Sequence, residues 1–192
     1  RVFATRRIRR LVVAFALLAF ANEGAIAFLP TFLQVEKGLE PALASNAFAA
    51  FFVVGMLVNP LAGGLGDRFG PLRVATAAGL VSAAGVGLLV LAEGRVVALA
   101  GVAVLAVGLT ANWPVMLAHL MDAVPSSSVG GDFGAVGTVF IAVGSLGPGY
   151  VGLVAERAGF GVAFVGLAAC LVAYAGVTSW LVRTHGPGSV GH

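Results

Sequence analysis

Glu23 is the residue whose type and position say most about what this sequence can do, because it is the only acid in the interior of any of the chain's long apolar runs, Asp132 standing at the very start of its own. It stands about thirteen residues into the first run, close to the centre of a bilayer at a rise of about 1.5 Å per residue. Glu23, Ala27, Thr31 and Gln34 follow at intervals of four, four and three, which places them on one helix face. A carboxylate there is costly unless it meets a cavity or a partner, and in a cavity it can exchange a proton or hold a cationic substrate. The structural alternative is a protonated acid hydrogen-bonded to a neighbouring helix, and the residues alone weigh the two evenly. Asn112 is a second candidate for lining a cavity, on a face with Gly101, Gly108, Val115 and His119. Thr138 and Ser145 are weaker ones, on a small-residue stripe with Gly134, Ile141 and Gly149 for which close helix packing is the first expectation. Trp113 and Pro114 predict a local bend.

The elements that must carry these residues follow from composition. Of the 192 residues, 59% are hydrophobic and 10% charged, with a mean hydropathy of +1.03. A water-soluble domain is about half apolar and a quarter charged, so a soluble enzyme is excluded. Six runs are long enough to cross a bilayer, at 10–33, 42–65, 72–91, 96–119, 131–155 and 161–182. They are too long for barrel strands of about ten residues and lack a two-residue alternation, so the expected fold class is an all-α membrane protein. Residues 1–9 form a basic segment and 183–192 a tail. The triplet Ala19, Phe20, Ala21 imitates a signal-peptide cleavage site, but apolar sequence continues to Leu33, beyond the roughly 7 to 15 residues of a signal core.

Charge and cysteine content narrow the partners. The net charge is +3, and Arg6, Arg7, Arg9 and Arg10 cluster ahead of an apolar run, where lipid headgroups rather than nucleic acid are the anionic partner. The single cysteine, Cys170, can build neither a disulfide framework nor a cysteine-rich metal site, and no cofactor is expected. With both ends cytoplasmic, 8 of the 11 Lys and Arg residues fall inside, which is the orientation the positive-inside bias favours. The chain starts at Arg1, and a fragment or processed product is expected.

An internal repeat is visible. Gly63, Asp67, Arg68 and Gly70 recur as Gly152, Glu156, Arg157 and Gly159, each pair 89 residues apart. That offset covers three runs. An odd number of spans per copy inverts the second copy in the membrane, which gives a 3+3 inverted repeat.

The stretch Gly63, Gly64, Leu65, Gly66, Asp67, Arg68, Phe69, Gly70, Pro71, Leu72, Arg73 resembles the loop motif of the major facilitator superfamily, with Leu72 where a basic residue is usual. Phe28 to Thr31 looks like the end of that family's first or seventh helix, and Asp122 to Pro125 like the loop entering its fifth or eleventh. The resemblance covers all six runs and implies half of a twelve-helix transporter. The basic lead into the first run and the Gly-rich tail resemble the carboxyl half. In physical terms, Gly63 and Gly66 are expected to allow close helix approach, and Gly70 to take a positive φ. Asp67 offers a carboxylate to the N–H groups of a neighbouring helix end, a contact that could gate two orientations of the halves together with Arg68 and Arg73.

Three other matches fail. Gly147 to Gly152 reads G-x-G-x-x-G, but no strand precedes it. Gly144 and Ser145 suggest an intramembrane protease, but the late histidines, His185 and His192, lie in the tail, so an enzyme is not expected. Asn59 and Pro60 give half of a water-channel motif, and no second Asn-Pro occurs.

The expectation is therefore a secondary transporter of a small solute by alternating access, with proton coupling through Glu23. Its implied partners are the small-molecule substrate, protons, the bilayer, and a missing amino-terminal half or a second copy. The alternative is a six-helix scaffold or assembly subunit with no transport role.

Overall fold

The computed structural model describes residues 6–123 and 129–184. The ends of the expected basic segment and tail, and Pro125 of the loop motif, lie outside them. The described chain is helical: α1 (Arg6–Val35), α2 (Pro41–Phe69), α3 (Pro71–Leu91), α4 (Arg95–Ala123), α5 (Val129–Gly144), α6 (Leu146–Ala158) and α7 (Phe160–Thr184). Even the 21-residue α3 is about 32 Å long, matching a hydrocarbon core of about 30 Å. Among the described residues there are six membrane-length spans, because α5 and α6 together form one, Val136–Ala158.

The run expected over 131–155 is thus divided at Ser145. Pro148 has no N–H to give the Gly144 carbonyl, which removes one rung of the helix. Ser145 closes the end of α5, its N–H bonding to Ile141 O at 2.9 Å and its hydroxyl to Ala142 O at 2.8 Å. Pro30, Pro60 and Pro114 lie inside continuous helices, so the Trp113 and Pro114 pair does not end α4.

Two junctions are near copies of each other. Gly70 alone links α2 to α3, with φ 91° and its N–H bonded to Gly66 O. Gly159 alone links α6 to α7, with φ 90° and its N–H bonded to Ala155 O. Only glycine enters that backbone region without strain. The correspondence extends to the helices: α2 and α6 end at 69 and 158, and α3 and α7 start at 71 and 160.

Small residues set the packing. On α3 and α4, a Cβ at Gly85 would strike the backbone of Leu105, and one at Gly108 the backbone of Ser82, so the two helices touch main chain to main chain. Gly24 of α1 and Gly147 of α6 meet in the same way. Phe32 of α1 stacks on Phe164 of α7 with centroids 4.2 Å apart. The close approach expected at Gly63 is absent, since a Cβ there would meet nothing within 4 Å among the described residues, while Gly66 packs against Val115.

Candidate functional site

Glu23 lies on the open side of α1, which buries Leu18, Ala21, Ala25 and Leu29 against the bundle and leaves Glu23 and Ala27 exposed. Thr31 and Gln34 continue the same face at partial exposure. Asn22 is 5% exposed and donates Nδ2–H to Glu23 Oε1 at 3.2 Å, so one carboxylate oxygen is held from within the helix. The Glu23 stem rests on α5, where a Cβ at Gly144 would stand 3.3 Å from its Cγ. That contact brings Glu23 to the helix break, one residue from Ser145.

The stripe of Gly134, Thr138, Ile141, Ser145 and Gly149 is exposed along its whole length. Close packing within the chain, the first expectation, does not occur there. The packed edge is the adjacent one, with Val136, Gly144, Gly147 and Val151 buried. Thr138 and Ser145 are therefore both exposed, Ser145 beside the Gly144 that meets Glu23, although each hydroxyl donates to its own helix, to Gly134 O at 2.9 Å and to Ala142 O at 2.8 Å. Half-buried Trp113 borders the α5 side, its ring 5.9 Å from that of Phe140.

Asn112 is placed elsewhere. It is fully buried, donating to Gly108 O at 2.8 Å and accepting from the Tyr174 hydroxyl at 2.6 Å. It fastens α4 to α7 inside the bundle and lines no open face. His119 is likewise buried.

In the loop, Asp67, Arg68, Phe69 and Arg73 are exposed, and the Arg68 guanidinium lies 5.3 Å over the Phe69 ring. Among the described residues no hydrogen bond or ion pair engages Asp67. A carboxylate does meet a helix N-terminus, but it is that of Glu36, which accepts the Gly161 N–H of α7 at 3.3 Å. Its neighbour Lys37 donates to Val90 O at 2.8 Å and Ala92 O at 2.9 Å, closing the C-terminus of α3. Charges of both signs thus sit where the helix dipoles favour them. Both residues fall between the expected runs 10–33 and 42–65, and a Glu-Lys step directly after a span was the available signal.

The chain is an apolar bundle with one mid-span acid on an uncovered face. Residues 11–191 match the model of the Major Facilitator Superfamily, and the chain belongs to that family, which is one of membrane transporters rather than enzymes. Two solved structures share its fold. The POT family transporter PepTSo, from an in meso crystal structure, superposes with a TM-score of 0.79 over 93% of this chain at 22% identity. An auto-inhibited POT family peptide transporter superposes with a TM-score of 0.81 over 94% at 23% identity. This chain spans 37% and 38% of those two chains. No curated protein matches it.

Proposed function

We propose that this chain is one six-helix half of a secondary transporter that moves a small solute by alternating access, and that Glu23 lies at its solute or proton site. The observation that carries this reading is the exposed carboxylate of Glu23, whose stem rests on Gly144 beside exposed Ser145 at the α5–α6 break, with exposed Thr138 about two turns away along α5. An acid near mid-membrane is tolerated when it faces water or a partner, and a second half across this surface would enclose it. Burial supports such a cover: only 17% of the apolar window of α2 and 17% of that of α5–α6 is buried, against 33% to 56% for the other spans.

The inverted-repeat reading is supported by the paired glycine junctions and by the exchange of helices between triplets. α4 packs on α2 and α3, and α1 on α5, α6 and α7. The basic run leading into α1 supports the carboxyl-terminal half, and the charge bias supports cytoplasmic ends. In this reading Asp67 faces a helix end of the covering half, making a contact that favours one orientation of the two.

The test is uptake of a panel of small solutes by proteoliposomes of the intact gene product. A transported solute should accumulate under an inward proton gradient. Glu23→Gln should abolish that accumulation while solute exchange partly survives. No uptake of any solute would favour the scaffold role, and unchanged accumulation in Glu23→Gln would make Glu23 structural.

A further inference from the structure

We propose that the groove between the start of α1 and the end of α7 binds the phosphate of an anionic phospholipid, with Arg10 as its ligand and Trp180 as its anchor. The Arg10 guanidinium lies 3.5 Å over the Trp180 ring, a stacked arrangement that fixes its plane. Stacking uses the face of the guanidinium and leaves its N–H edges, which match two phosphate oxygens at once. Among the described residues no carboxylate pairs with Arg10. Beside it opens a cavity of about 460 Å³ lined by Arg10, Ala173, Gly176, Val177 and Trp180.

The shape of that cavity selects a lipid over a soluble phosphate. Ala173 and Gly176 are both exposed and carry almost no side chain, so the α7 surface below the indole is a shallow channel. At about 1.5 Å per residue, Ala173 lies about 10 Å along the helix from Trp180, further into the apolar zone. A headgroup held by Arg10 would therefore direct an acyl chain along the channel, with the indole at the polar boundary that tryptophan prefers. The Arg10 charge, held at the headgroup, favours an anionic headgroup over a zwitterionic one, whereas exposed Arg9 and Arg183 lie at the same end outside the lining. Neither the loop motif nor the Glu23 surface contributes a residue, so the site stands apart from the transport reading.

The experiment is native mass spectrometry of the intact gene product with equimolar phosphatidylglycerol and phosphatidylcholine of matched chains. The expected result is a preference of about fivefold for phosphatidylglycerol, the weight of one basic residue against an anionic lipid. Arg10→Gln should bring the ratio near one, and the Arg9→Gln, Arg183→Gln double variant should keep most of it. Gly176→Leu should also remove the preference with every charge in place, and it should fold, because Gly176 is exposed and a Cβ there would meet nothing within 4 Å among the described residues. The proposal is overturned by equal binding of the two lipids, by a preference that survives Arg10→Gln or Gly176→Leu, or by loss of the lipid adduct in millimolar inorganic phosphate.

Discussion

The Tyr174 hydroxyl donates to Asn112 Oδ1 at 2.6 Å, joining α7 to α4 at a depth where neither residue has any exposed surface. The same tyrosine ring occupies the space that Gly79 leaves on α3, where a Cβ would stand 2.7 Å from its Cδ1. Three helices are therefore fixed at one point, and the Thr76 to Thr178 hydrogen bond at 2.9 Å ties α3 to α7 again. Tyr174→Phe should lower stability by about 1 to 2 kcal/mol, because the Asn112 oxygen keeps no partner in an apolar surround. A double-mutant cycle with Asn112→Leu, read by thermal unfolding in detergent, should give a coupling of about 0.6 to 1.7 kcal/mol. Additive single effects would show that the bond contributes nothing.

The α3–α4 contact makes a sharper prediction from two glycines on one helix. Gly85→Ala drives a methyl into the Leu105 backbone, whereas a Cβ at Gly87 meets nothing within 4 Å. Gly85→Ala should cost about 1 to 3 kcal/mol, as overpacking does. Gly87→Ala should be neutral or stabilising by up to about 1 kcal/mol through helix propensity. Equal melting temperatures for the two variants would contradict this packing.

Topology is testable with single cysteines in a Cys170→Ser background whose other cysteines are replaced. Arg73 and Glu93 are exposed at opposite ends of α3. With both chain ends cytoplasmic, Arg73→Cys should react with a membrane-impermeant maleimide from the inside and Glu93→Cys from the outside. The reverse pattern would invert the orientation.

Asp67→Asn should leave membrane insertion intact and shift the balance between inward-open and outward-open forms by about 1 to 3 kcal/mol, the usual size of a coupling between sites. The measurement is probe accessibility on both faces of the intact protein. An unchanged balance would reduce the motif to a determinant of topology.

The spans were legible because hydropathy over twenty residues reports burial in lipid or protein alike. The same property hid which face of a helix meets which neighbour. Asn112 read as a cavity residue because it shares a face with Gly101 and Gly108, yet those glycines pack directly on the α3 backbone, so a residue on their stripe is buried. On α5 and α6 the packing glycines are Gly144 and Gly147, beside the exposed stripe rather than on it. Gly70 and Gly159 were readable as a repeated pair, and both take the positive φ that one of them was expected to need. The capping roles of Glu36 and Lys37 were not legible because their partners are backbone groups of α7 and α3, distant in sequence and not specified by residue type.

The central claim is that the Glu23 face lines a path alternately open to the two sides of the membrane. Ala27 is one helical turn from Glu23, exposed and small, so Ala27→Cys reports on that face without removing a polar group. In the intact protein, with other cysteines replaced, this thiol should react with a membrane-impermeant reagent in right-side-out vesicles and also in inside-out vesicles. Reaction from neither side would place the face against lipid or packed protein and contradict the account.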